Sequence, residues 1–287
     1  QPAEPLDARE PVRREFLSWK FGMFIHFNVA TFNEREWANG YEDPASFAPT
    51  DLDCNQWAEA AVAAGMRYAV LTVKHTGGWC LWPSELTRSH SVRAFHNFRD
   101  GRGDLVREFV NAFRSRGLKI GFYYCFPGDY SARAGNPPLT AGQTDLHGLP
   151  PEAAGDFVTF IRRQLTELLT QYGPVDLLWI DQYRNRYTGP HWNEILAHIR
   201  SLQSNCVVIA NNSRNLLESD VHSYEYPYLA TRDPNTALPP AGNTVAAEVS
   251  DKLGPGWFWN SRETQATIKT PEQVVEMVRL CNSRNAN

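Results

Sequence analysis

A chain of 287 residues that is 42% hydrophobic and 12% aromatic has ample material for one large buried core. Its formal net charge of −4 leaves no basic footprint for nucleic acid, and no apolar run reaches the roughly 20 residues of a membrane-spanning helix. Five cysteines, at 54, 80, 125, 206 and 281, are scattered and form no CxxC pair, which argues against a disulfide framework or a structural zinc site and for buried free thiols.

The polar, proline-rich start, QPAEPLDAREP, reads as a mature end left by signal-peptide removal, so export to the periplasm or beyond is expected. FGMFIHFN, residues 21–28, is the first predicted strand. Asp51 or Asp53 is placed to cap the following helix, which gathers Trp57, Ala60, Ala61 and Ala64 on one face and ends at Gly65. RYAVLTVKH, residues 67–75, is a second strand. DLVREFVNAFRSRGL is a helix with Val106, Phe109, Val110 and Phe113 on one side, and KIGFYYC, residues 119–125, is a third strand.

A loop rich in Gly and Pro is expected over residues 127–150. A long amphipathic helix then leads into PVDLLWID, the fourth strand, and a helix around HWNEILAHIRSLQ leads into CVVIANN, the fifth. DVHSYEYPY is read as a sixth strand with a loop and GWFWN as a seventh. The last helix is marked by a capping box of Thr270 and Gln273 with Pro271 at its first position.

Near-continuous apolar strands separated by helices imply a parallel sheet covered on both faces. No GxGxxG turn follows the first strand, so a dinucleotide site is not indicated. The expected fold is α/β, a single (β/α)8-like barrel over residues 1–287, with its last strand absent and no C-terminal β-sandwich.

Parallel barrels carry their chemistry at the C-terminal strand ends. Those ends bring His26, His75, Tyr123 or Tyr124, Asp181, Asn211 or Asn212, and Glu225, joined by Glu36 and Trp37 from the loop after the first strand. Asp181, ending an apolar strand through Trp179, is the candidate nucleophile of a retaining glycosidase. Such chemistry needs a second carboxyl, protonated at the outset. Glu225, between Tyr224 and Tyr226, is the first choice, Glu248 the alternative and Glu36 a third. The histidines lack HxH or HExxH spacing, so sugar-hydroxyl contacts fit them better than a metal, and no cofactor is called for.

With these residues collected, the chain resembles the α-L-fucosidases of glycoside hydrolase family twenty-nine. The likeness runs through KFGMFIHFNVATF, REWANGYEDP, the segment from DLDCNQWAEA to LTVKHTGGWCLW, GDLVREFVNAFRSRGLKIGFYYC and QLTELLTQYGPVDLLWIDQY. It implies a retaining exo-glycosidase acting on a fucosylated oligosaccharide or glycoconjugate. Asp181 would be the nucleophile, and an E-[YW] element supports Glu225 as acid/base. His26, Glu36, Trp37, His75, Tyr124 and Trp179 would be sugar-binding residues. The 35–44 loop and the AEVSDKLGPGWFW segment resemble the branch preferring α-1,3/1,4-linked fucose.

Two departures stand out. KHTGGW, with Thr76 and Gly77, replaces the usual KHHDGF, and Gln182 follows the nucleophile where glycine is common. A non-catalytic glycan-binding relative and a hydrolase of a related sugar such as α-L-galactose are the alternatives. Oligomeric state is not legible at this level.

Overall fold

The computed structural model describes residues 6–87, 90–126, 157–184 and 188–287. The loop expected over 127–150 lies outside the described residues. Five parallel strands pair in chain order: β1 (Gly22–Ile25), β2 (Tyr68–Lys74), β3 (Lys119–Cys125), β4 (Leu177–Asp181) and β5 (Val207–Ala210). A second parallel pair follows, β6 (His222–Glu225) with β7 (Ala247–Ser250). Ala286 bridges in parallel to Ala247, so the position of an eighth strand, expected to be absent, is begun by the last residues. The helices are α1 (Glu10–Ser18), α2 (Cys54–Ala63), α3 (Leu105–Arg114), α4 (Phe157–Gln171), α5 (Trp192–Leu202), α6 (Tyr226–Arg232) and α7 (Pro271–Ser283). This is a partial (β/α)8 barrel whose ladder is not closed among the described residues.

Two local differences from the sequence reading matter. GWFWN is not a strand. The seventh strand is Ala247–Ser250, and residues 256–260 form a loop above it. Residues 10–18 form a helix whose Phe16 and Trp19 pack against Tyr68 inside the barrel base. The capping predictions hold in detail: Asp53 accepts from Asn55 N, and Thr270 and Gln273 form the reciprocal box.

Period-two alternation divides the strand side chains into two cores. Outward residues such as Leu71, Phe122, Leu178 and Val208 pack under the helices. Inward residues such as Val70, Tyr123, Trp179 and Ile209 fill the barrel. Within β2 the alternation is interrupted. Thr72 pairs with Tyr123 but Lys74 pairs with Tyr124, so Val73 is an extra residue, a bulge. The bulge shifts the phase by one. Lys74 therefore points outward, its ammonium donating to Gln164 Oε1 at 2.9 Å and to Tyr124 Oη at 3.2 Å, and His75 turns to the barrel mouth.

The gap between β5 and β6 is stitched by Asp220, which is fully buried. Its carboxylate accepts from Arg9 Nε at 2.8 Å, Arg9 Nη2 at 2.7 Å and Val208 N at 2.8 Å. A buried carboxylate is tolerated only when so completely paired.

Candidate active site

The C-terminal strand ends open into a cleft of about 640 Å³, lined among others by Phe24, His26, Trp37, His75, Thr76, Tyr123, Trp179, Asp181, Asn211, Glu225 and Trp257. Asp181 closes β4 and is partly buried. Its Oδ1 accepts from Gln182 N at 2.9 Å and Asn211 Nδ2 at 3.0 Å, and its Oδ2 accepts from the Tyr123 hydroxyl at 2.7 Å. Three donors thus converge on one carboxyl group. Burial, then Asp181 itself, holds the Tyr123 phenol well above its usual range, so it remains a donor.

Glu225 closes β6 and lines the same cleft. Its Oε2 accepts from Asn211 Nδ2 at 3.0 Å and Asn212 Nδ2 at 3.2 Å. One amide nitrogen, Asn211 Nδ2, thus touches both carboxyl groups. Two 3.0 Å contacts through a single atom keep Asp181 Oδ1 and Glu225 Oε2 within about 6 Å of each other, near the roughly 5–5.5 Å spacing of retaining glycosidases.

The alternative carboxyls lie elsewhere. Glu248 is 5% exposed in the barrel interior and does not line the cleft. Glu36 accepts from the backbone N–H groups of Trp257, at 2.5 Å, and Phe258, at 3.4 Å. Glu36 therefore fixes the 256–258 loop and is not itself among the cleft-lining residues.

Aromatic rings form the walls. Tyr123 stacks on Trp179 with centroids 5.3 Å apart, and His75 stacks on Tyr123 at 5.2 Å. His26 stacks on Trp257 at 4.9 Å. Burial, then neighbouring His75, holds His26 well below the usual imidazole pKa, so its neutral ring offers one donor and one acceptor. His75 Nδ1 shares a 3.1 Å hydrogen bond with the hydroxyl of Thr76. Trp37 is 50% exposed at the rim.

One sugar-contact assignment moves by a residue. Tyr124, expected in the cleft, is fully buried on the outward face, where its hydroxyl donates to Gln164 Oε1 at 2.6 Å. Tyr123 occupies the cleft instead, because it pairs in register with inward-facing Trp179. Trp257 lies in GWFWN, whose apolar pattern predicts a strand but which forms a loop that brings the ring to the cleft. Its flanking Gly254, Pro255 and Gly256 were the available signal for a loop. Gln182 has φ +58°, the left-handed region where glycine is at ease, which accounts for glycine being common there in the resembling enzymes. Gly77 has φ +92°, and a Cβ there would lie 2.7 Å from Ala38 Cβ.

Comparison with known proteins bears on this arrangement. The family model described as Alpha-L-fucosidase matches residues 36–287. The chain belongs to the alpha-L-fucosidase family. It is 32% identical over 280 residues to putative alpha-L-fucosidase 1 of Oryza sativa subsp. japonica, covering 88% of this chain and 49% of that protein. Alpha-L-fucosidase 1 of Arabidopsis thaliana is 29% identical over 272 residues, covering 86% and 49%. The chain spans about half the length of these curated relatives. Among solved structures, alpha-L-fucosidase isoenzyme 1 from Paenibacillus thiaminolyticus superposes with a TM-score of 0.74 at 30% identity, covering 98% of this chain and 69% of that one. The parallel-strand α/β architecture is thus that of the fucosidase family.

Proposed function

We propose that this protein is a retaining α-L-fucosidase that removes terminal α-L-fucose from glycans. Asp181 attacks C1 of the fucosyl unit while Glu225, protonated at the start, delivers its proton to the leaving oxygen. The resulting ester at Asp181 is then cleaved by water, with Glu225 as base. Asp181 Oδ2 carries one donor against two on Oδ1, which leaves it the freer oxygen for attack. The observation that supports the reading is the shared amide of Asn211, which donates to both carboxyls in an aromatic-walled cleft. Neutral His26, together with His75 and Thr76, supplies hydroxyl contacts for an uncharged sugar.

A preference for α-1,3/1,4 linkages belongs to the same proposal. It is supported by the union of the two segments carrying that resemblance, through Glu36 and the backbone of Trp257 and Phe258.

A fluorinated fucosyl fluoride tests the assignment. The expected outcome is a stable adduct on the peptide containing Asp181, loss of turnover in Asp181→Ala, and azide rescue of Glu225→Ala on an aryl α-L-fucoside. Product NMR on defined oligosaccharides reads linkage and anomeric outcome. An adduct on another residue, or an inverted product, would overturn the mechanism.

A further inference from the structure

Beneath the cleft the barrel encloses a carboxyl that the proposed mechanism does not use. Glu248 lies on β7 opposite Ser223 of β6. Its Oε1 accepts from Trp179 Nε1 at 3.3 Å, and its Oε2 accepts from the Ser223 hydroxyl at 3.2 Å. Ser223 Oγ in turn accepts from Asn212 N at 3.3 Å. Asn212 grips Glu225 twice: Nδ2 donates to Oε2 at 3.2 Å, and Oδ1 accepts from Glu225 N at 3.0 Å. Trp179 stands two residues before Asp181 on β4.

The chain of contacts joins strands that are not neighbours, since β4 pairs with β3 and β5 whereas β6 pairs with β7. It crosses the interior at the point where the backbone ladder is interrupted. We propose that Glu248 is a positioning residue of the reaction: a cross-barrel strut that orients Trp179 and, through Ser223 and Asn212, sets Glu225 relative to Asp181. The proposal rests on the fucosidase reading above.

The surroundings suit a neutral carboxyl. The titratable groups around it are Tyr68 from β2, Glu225 from β6 and Cys281 from α7, and among the described residues no cation pairs with it. Burial pushes its pKa up to about 8, so near neutral pH it is a protonated acid. Glutamine offers a carbonyl for the Trp179 N–H and an N–H to Ser223 Oγ, the serine hydroxyl turning from donor to acceptor. Leucine leaves both partners unsatisfied.

The test compares wild type with Glu248→Gln, Glu248→Leu and Ser223→Ala, by aryl α-L-fucoside kinetics and by the ¹⁵N-indole resonance of Trp179, assigned with Trp179→Phe. Glu248→Gln should keep kcat within about threefold, and Glu248→Leu should lose about 30-fold or more. If the leucine variant fails to fold, Ser223→Ala decides the second half of the strut. It should lower kcat by about tenfold while leaving the Trp179 resonance in place. The Trp179 signal should titrate with a midpoint near 8 in wild type and be pH-independent in Glu248→Gln.

Full kcat in Glu248→Leu and in Ser223→Ala would overturn the strut. So would loss in Glu248→Gln that azide rescues, because Glu248 would then be the acid/base. A Trp179 resonance indifferent to Glu248 would also overturn it. Should wild type cleave no α-L-fucoside, the functional reading fails, and the Trp179 resonance still decides whether Glu248 holds that ring.

Discussion

Tyr123 and Asp181 meet across the β3–β4 ladder, the phenol donating to Oδ2 at 2.7 Å. A hydrogen bond to a charged acceptor is worth about 1.5–3 kcal/mol, so Tyr123→Phe should lower kcat by about 10- to 100-fold. The fold should persist, since the ring keeps its stacking on Trp179 and His75. Tyr124→Phe is the matched control. It removes a partner from Lys74 and Gln164, and should cost about 1–2 kcal/mol of stability with little effect on turnover. A larger kinetic loss in Tyr124→Phe than in Tyr123→Phe would contradict the placement of the two rings.

Asn211 holds both carboxyls, so its removal should affect the reaction more than binding. Asn211→Ala is expected to lower kcat about 100-fold with a small change in KM, judged by steady-state kinetics on an aryl fucoside. Asn211→Asp adds a second negative charge beside Glu225, after Asp181, and should raise its pKa. The alkaline limb of kcat/KM should then move to higher pH.

Two backbone positions in the left-handed region predict opposite effects. Gly77→Ala should destabilise by about 1–3 kcal/mol, because φ is +92° and the new Cβ meets Ala38 at 2.7 Å. Gln182→Gly relieves a left-handed φ of +58° and should be neutral or stabilising by up to about 1 kcal/mol. Thermal melts of the two variants decide the matter. The same clash means that an aspartate at position 77 should destabilise the protein as well.

The pH dependence of stability follows from Glu248, whose carboxyl moves from 4.5 when unfolded to about 8 when folded. Between these values the folded state holds the extra proton, so stability falls as pH rises, by at most about 1.4 kcal/mol per pH unit. The contribution is complete below 4.5 and lost above about 8. Glu248→Gln has no proton to lose. Its melting temperature relative to wild type should climb steadily across that window, and a flat difference would refute the assignment.

The strands most legible in the sequence were those buried on both faces. KIGFYYC and LLWID are apolar runs that no other element could accommodate, and β3 runs from Lys119 to Cys125 as expected. The place of Asp181 at the end of β4, in the cleft, was readable because the apolar run LLWI ends on it. Tyr123 was not distinguishable from Tyr124, because facing depends on register with β4, a relation between residues 58 positions apart. AEVS escaped because Glu248 interrupts a four-residue strand, and its tolerance there depends on Trp179 and Ser223 far along the chain. Glu36 looked like a sugar ligand, yet its partners are backbone amides more than 200 residues away, a contact no local pattern encodes.

The extra residue in β2 has a consequence for which molecules the cleft can admit. Strict alternation from Thr72 would turn Lys74 inward and His75 outward, and an ammonium at the mouth would favour a carboxylated sugar. With Val73 inserted, the cation is sealed behind the sheet and an imidazole faces the cleft. Under the proposed function, that one extra residue in β2 favours a neutral sugar over an acidic one, through the strand's register and without a side chain at the cleft.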